Sequence, residues 1–340
     1  FEVLIGKHPS KDEVGEVSHF RALTASLSGT IGLGNIAGVA VAIQLGGPGA
    51  IFWMWVTAVF GIATKFFTAT LSVLYRETGH DGKPNAGTMY IIKNGLPKYM
   101  LPLAYFFAFA GVIAGLPAFQ ANQVVQLTND LYFPEVEYFK YYAGAFLVIV
   151  TAMVVLGGLK RIANVSAWLV PFMGGLYLSA VLFAVLINYD QFLPAIGLIV
   201  SEAFSINSAV AGGLVGVILT GIKRGAFSNE AGIGTEALIH GTAKTTNPVK
   251  QGLIAMTGPI FDTLIMCTLT AVIILISGVW QTSDSSGVTL TSEAFLSTLG
   301  PLGPIILFVC VISFGMSTIF TYSYLSLIHI SDPTRPLDIS

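Results

Sequence analysis

Apolar residues run along this chain in blocks long enough to cross a bilayer, with polar residues gathered in short stretches between them. A hydrocarbon core about 30 Å thick needs roughly 20 predominantly apolar residues in helical form. Eight segments meet that length, at about 20–45, 49–75, 100–125, 142–159, 164–188, 209–239, 251–279 and 303–328. Gly46, Gly47 and Pro48 predict a tight turn between the first two, and residues 281–287 read as a polar loop between the last two. Residues 189–208, with Pro194 and scattered polar groups, read as a surface-lying helix or a long loop. Two blocks are broken by glycine. The first break holds Gly29, Gly32, Gly34 and Gly38, the second holds Gly221, Gly225 and Gly232, and both close on Asn-x-Ala-Gly.

Composition agrees with the pattern. Of 340 residues, 54% are hydrophobic and only 10% charged, with a mean hydropathy of +0.77. Soluble domains carry about 25% charged residues, so the chain reads as an all-α membrane protein whose first partner is the lipid bilayer. Its 37 glycines fit, since Gly is more frequent in transmembrane helices. A net charge of −2 leaves no concentrated basic surface for a nucleic acid. Cys267 and Cys310 stand singly in apolar runs and read as small buried hydrophobes. Residues 1–19 are polar and lack the apolar core of a signal peptide. The chain starts on Phe1, which suggests a fragment, and after Tyr324 the apolar register changes, so residues 325–340 read as a non-native tail.

Lys and Arg accumulate on the cytoplasmic side of membrane proteins. With residue 19 inside and the blocks threaded alternately, eleven Lys and Arg fall inside and only Lys140 outside, leaving aside Lys65, Lys223, Arg224 and Arg335. The N-terminal segment is therefore expected in the cytoplasm, with the chain in the plasma (inner) membrane. The first broken block then runs outward and the second inward. Five blocks begin with the first break and three with the second, the signature of a five-plus-five inverted-repeat transporter with its last two helices missing. The expected organisation is a cytoplasmic segment 1–19, a first repeat 20–188, an external connector 189–208 and a truncated second repeat 209–324.

Broken backbone is tolerated in a bilayer only where the freed groups line a cavity or meet protein partners. Glycines at 29, 32, 34 and 38 let the first block unwind, leaving the N–H groups of Leu33 and Gly34 as donors for a carboxylate. A half-helix starting near Asn35 adds its positive end. Carbonyls around Ser28, Thr30 and Ile31 remain for a cation or an ammonium. Close helix packing is the alternative for Gly34 and Gly38. In the second block Gly225 and Phe227 are expected at the break itself. Lys223, Arg224 and Glu230 are costly there, so they are expected to pair or face a wet cavity, with snorkelling as the alternative for the two cations.

The strings at 32–40 (Gly-Leu-Gly-Asn-Ile-Ala-Gly-Val-Ala), 45–55 and 223–232 (Lys-Arg-Gly-Ala-Phe-Ser-Asn-Glu-Ala-Gly) resemble the alanine or glycine:cation symporter family. The resemblance covers residues 17–324 and implies the five-plus-five, LeuT-like bundle, here without its leading helix and its last helices. It implies symport of alanine or glycine with sodium, or with protons in some members. The substrate site it implies takes in Gly29, Thr30, Gly32, Leu33, Gly34, Gly225, Phe227, Asn229, Thr318 and Tyr322, with Gln120 or Gln123 as a further contact. The glutamines could equally serve an interhelical hydrogen bond. The sodium set it implies is Ser28, Ile31, Phe314, Ser317 and Thr318, oxygen donors that suit a hard cation. Tyr322 stands where the family usually has Trp. The chain is expected to act as a monomer. Channel filter residues are absent from the sequence, which leaves a passive channel as the lesser alternative, and the absence of a catalytic motif such as HExxH and of a P-loop sets aside the enzyme and primary-pump readings.

Overall fold

The computed structural model describes residues 15–79, 83–205 and 213–331, with side chains through Ser326 in the last helix. Most of the polar N-terminal segment and residues 332–340 therefore lie outside the described residues. Among the described residues the architecture is helical, and the paired strands are a two-residue ladder of β1 (Glu77–Thr78) antiparallel to β2 (Pro84–Asn85).

α1 (His19–Thr30) starts behind Ser18, whose hydroxyl accepts the Arg21 N–H at 3.3 Å, a side-chain cap for an orphan donor. Residues 31–33 leave the helix, and a π-helical turn, Gly34–Gly38, leads into α2 (Val39–Gly46). Gly47, at φ 71°, and Pro48 turn the chain into α3 (Gly49–Leu74). Then come α4 (Thr88–Gly95), α5 (Leu101–Ala114), α6 (Ala118–Tyr132), α7 (Phe139–Val155), α8 (Gly158–Ile187) and α9 (Tyr189–Glu202). The later half comprises α10 (Gly213–Asn229), α11 (Glu236–Gly241), α12 (Pro248–Ala255) and the single turn α13 (Thr257–Pro259). A π-helical stretch, Ile260–Cys267, continues into α14 (Thr268–Ser277), and α15 (Val288–Leu299) and α16 (Leu302–Ser331) follow.

Five helical stretches among the described residues are long and apolar enough to cross a membrane: Gly49–Leu74, Lys98–Tyr132, Gly158–Ile187, Pro248–Ser277 and Leu302–Ser326. The bent pair α1 and α2, at 50° to each other, makes a sixth. Of the eight expected blocks, the other two fall short as helices. α7 has 17 residues, and the block at 209–239 divides into α10 and α11. The connector after 188 is a helix, α9, and α16 passes Tyr324 unbroken to Ser331. α15 was not expected, because its apolar positions alternate with Thr, Ser and Glu.

The core sits where α1, α8, α14, α15 and α16 meet. Tyr177 of α8 is wholly buried, its ring 5.8 Å from that of Phe295 and 5.6 Å from that of Phe314. Large apolar side chains such as Phe106, Phe109, Phe146, Trp168 and Leu186 point outward, as a lipid-facing surface requires. At one end of the bundle Arg76 donates to the carbonyls of Gly241, Ala243 and Thr245 at 2.6–2.9 Å. Beside it the Lys244 N–H meets the Val17 carbonyl at 2.8 Å.

Gly221 and Gly225 put the backbone of α10 directly on α3. A Cβ at Gly225 would lie 2.9 Å from the Thr57 Cβ, and one at Gly221 would collide with the Ala50 carbonyl and Trp53. Overpacking of this kind costs about 1–3 kcal/mol. Gly221→Val is therefore expected to lower the melting temperature of the purified protein, and an unchanged melting curve would show that the two helices are not in backbone contact.

Candidate functional site

The first break opens at residues 31–33, between the end of α1 and the π-turn. Asn35 holds the opening in shape. Its Oδ1 accepts the Gly32 N–H at 3.1 Å, and its Nδ2 donates to the Asp262 carbonyl at 3.0 Å and to Asp262 Oδ1. The Asn35 carbonyl accepts from Thr270 Oγ1 at 2.7 Å, and Thr270 in turn pairs with the Tyr177 hydroxyl at 2.6 Å. The N–H groups of Leu33 and Gly34 make no hydrogen bond to another described residue. Thr30 is buried, and its hydroxyl has no partner among the described residues.

α16 lies against this opening. Ser28 Oγ donates to the Ser317 carbonyl at 3.0 Å, Ser317 Oγ reaches back to the Ser28 carbonyl at 3.3 Å, and Thr321 donates to Ser28 Oγ at 3.0 Å. Ser317 and Thr318 both place their hydroxyls on the Phe314 carbonyl, at 3.1 and 3.0 Å. Thr318 Oγ1 lies so close to Gly32 that a Cβ there would collide with it. Gly29 faces Thr321 and the Tyr322 ring. The structure thus brings together Ser28, Gly29, Gly32, Phe314, Ser317, Thr318 and Tyr322, and Ile31 is buried in the adjoining turn. A hydroxyl carries one donor and two lone pairs, so each can bond a carbonyl and still present oxygen to a cation.

The second break lies later than the glycine pattern predicts. α10 continues through Gly225 and Phe227 to Asn229, and the chain leaves the helix at residues 230–235. Glu230 is left-handed, at φ 55°, and Gly232 and Gly234 follow at 94° and 85°. Three positive φ values in five residues end a helix outright. Gly225 is therefore a packing glycine against Thr57 and Met54, not an opening in the backbone. Asn229 ends α10, with its Oδ1 on the Ala231 N–H at 2.9 Å and its Nδ2 beside Gly61 of α3. Glu230 does not pair with the neighbouring cations: Lys223 is exposed and Arg224 is half-buried. Its carboxylate instead accepts from Thr235 Oγ1 at 2.8 Å and from the Tyr322 hydroxyl.

Beside the second break is a cavity of about 230 Å³, walled by Phe119, Gln120, Phe227, Ile233, Thr235 and Tyr322 among others. Phe227 stands at its edge toward the first break. The Phe227 ring would touch a Cβ on Gly34 at 3.4 Å and meets Phe119 edge-on, centroids 5.6 Å apart. The two glutamines divide. Gln120 is buried on the cavity wall. Gln123 Oε1 accepts the Val288 N–H at 3.1 Å, and Gln123 Nε2 donates to Asn122 and Gln126, so it caps α15.

Asp262, which the sequence pattern did not single out, ties the first break to the end of α10. Its Oδ1 takes Asn35, and its Oδ2 takes Ser228 Oγ at 3.0 Å and Thr263 Oγ1 at 2.7 Å. A lone Asp inside the apolar block 251–279 was the signal. Asn35 was noted only as a helix start.

A bundle of long apolar helices with an interrupted helix carrying free donors and oxygens, and a cavity beside a second interruption, has the form of a solute transporter. Comparison with known proteins makes this specific. The model of the sodium:alanine symporter family matches residues 1–331. A sodium/alanine symporter of Methanococcus maripaludis is 41% identical over 332 residues, 95% of this chain and 72% of that protein. A Bacillus subtilis protein named as a probable sodium/glutamine symporter is 36% identical over 91% of this chain and 64% of its own length. A sodium/proton-dependent alanine carrier protein of Bacillus sp. PS3 is 31% identical, over 93% of this chain and 73% of its own. The chain belongs to the sodium:alanine symporter family.

The glutamines give a direct test of the geometry. Removing Gln123 leaves the Val288 N–H buried without its acceptor, which costs about 1–3 kcal/mol. Gln123→Ala should lower the melting temperature clearly, and Gln120→Ala should leave it nearly unchanged. Equal losses in thermal unfolding would contradict the separate placements.

Proposed function

We propose that this protein is a secondary-active symporter that carries a small neutral amino acid, alanine or glycine, with sodium across the plasma (inner) membrane by alternating access. One observation carries the reading. Within a single short opening the unpaired N–H groups of Leu33 and Gly34 and the buried Thr30 hydroxyl lie next to the paired oxygens of Ser28, Ser317 and Thr318. The former are donors for a carboxylate and the latter are ligands for a hard cation. Family membership supports the same division. The sodium set in this reading is Ser28, Ile31, Phe314, Ser317 and Thr318. The amino acid takes its carboxylate to Leu33 and Gly34 and its side chain toward Phe227, with Gln120 and Tyr322 on the cavity wall. Glycines 29 and 32 keep side chains out of the way of α16.

The reading includes a five-plus-five inverted repeat with the N-terminal segment in the cytoplasm, supported by a break at the start of each half and by the bias of Lys and Arg. Proton coupling is a second reading, favoured by the name of the Bacillus sp. PS3 relative.

Gly34 offers the sharpest test. A Cβ there meets the Phe227 ring at 3.4 Å, an ordinary contact, so Gly34→Ala should fold with a normal melting temperature. Its methyl group intrudes where the carboxylate must approach. Loss of hydrogen bonds to a charged group costs about 1.5–3 kcal/mol, so alanine should bind about ten- to a hundredfold more weakly. Normal affinity with lowered stability would sink the binding role. For the cation, Ser317→Ala combined with Thr318→Val should raise the half-saturating sodium concentration of alanine uptake. An unmoved sodium curve would remove both residues from the site.

A further inference from the structure

Four ionisable side chains lie buried between the two breaks, and the substrate and cation contacts above use none of their charges. Lys65 of α3 is 1% exposed, and its Nζ lies beside Gly258, where a Cβ would come within 3.4 Å. It is in electrostatic reach of Glu230, Asp262 and His240, and Glu236 is in reach of Glu230. Glu230, Glu236 and Asp262 are all sealed from solvent. Asp262 receives three side-chain hydrogen bonds and Glu230 two. Glu236 receives one, from Thr68 Oγ1 at 3.0 Å, and its Oε2 is buried with no partner among the described residues.

Fully ionised, three carboxylates against one ammonium would leave an excess of two negative charges out of water. Buried charge without compensation is strongly unfavourable. No group of three His, Cys, Asp or Glu among the described residues gathers as a multi-carboxylate metal site would require. A proton needs no room. Chains of carboxylates and histidines inside membrane proteins serve as proton sites for this reason.

We propose that the Lys65–Glu230–Glu236–Asp262 centre holds an exchangeable proton, and that the Glu230–Tyr322 hydrogen bond links that proton to the cavity. The titratable groups facing the centre are Lys65 from α3, Glu230 from the second break, Glu236 and His240 from α11, Asp262 and Cys267 from the π-helical stretch and Tyr322 from α16. Glu230 and Glu236 act on each other, and Glu230 and Asp262 share Lys65, so the groups titrate as a set and the proton belongs to the set and not to one residue. The Tyr322 side chain lines the cavity, and its hydroxyl donates to Glu230. A carboxylate accepts a hydrogen bond more strongly than a neutral carboxyl, so the tie on Tyr322 tightens when the proton leaves and slackens when it returns.

Infrared spectroscopy of the purified protein, titrated from acid to alkaline pH without sodium or amino acid, tests this independently of the proposed transport. Exposed carboxyls ionise well below neutral pH, so a protonated-carboxyl carbonyl band that persists at neutral pH belongs to a buried group. The expected result is such a band, lost on alkaline titration. Lys65→Gln should enlarge it by about one carboxyl, because loss of the ammonium draws in a further proton. Glu236→Gln or Glu230→Gln should diminish it. Tyr322→Phe should shift the midpoint without changing the number of carboxyls. Absence of the band from the wild type at neutral pH overturns the proposal. An unmoved midpoint in Tyr322→Phe overturns the link to the cavity. Should Lys65→Gln fail to fold, the wild-type and Tyr322→Phe titrations decide the matter alone.

Discussion

A peptide group that leaves the helix inside a hydrocarbon layer has no water to turn to, and each one left unsatisfied there costs several kcal/mol. The interior of this protein is arranged around that constraint. At the first break Asn35 supplies an acceptor to Gly32, Asp262 takes the Asn35 amide, and Thr270 covers the Asn35 carbonyl. At the second break Asn229 holds Ala231, and Thr235 and Tyr322 hold Glu230. Asn35, Asn229 and Thr270 each serve as the partner of a freed backbone group, and Asp262 and Tyr177 as the partners of those partners. Among the described residues, the groups at the first break that remain without one are the Thr30 hydroxyl and the N–H groups of Leu33 and Gly34, and they thereby acquire their meaning.

Asp262, which serves Asn35, sits in a π-helical stretch. A π-turn widens the helix locally and is common at functional positions. Here it accompanies one carboxylate that receives donors from α1's break and from the end of α10. The two interrupted elements are thus joined through a third by a single side chain.

Much of this was readable along the chain, and the failures have physical causes. The apolar blocks and the glycine cluster of the first break stood out because composition and length report them directly. Gly225 misled because a glycine that admits a neighbouring helix and one that opens the backbone look alike in sequence; only the contact with Thr57 and Met54 tells them apart. The true opening depends on Glu230 adopting a left-handed conformation, a choice made by tertiary partners and not by propensity. α15 escaped notice because its twelve residues alternate apolar with Thr and Ser and its start is capped by Gln123, a residue far away in sequence. Lys65 was set aside as a charge within a helix, and nothing local identifies the carboxylates it faces.

The Arg76 clamp on the carbonyls of Gly241, Ala243 and Thr245 bears on how fast this bundle can change shape. One guanidinium grips three successive points of the chain just beyond α11, and the neighbouring Lys244 is stitched to Val17. Parting α11 from α3 at this end cannot proceed one bond at a time, because a planar cation that loses one carbonyl still holds the other two in register. The face behaves like a zip fastener with its slider locked: it stays shut through small fluctuations and, once the arginine lets go, opens along its whole length.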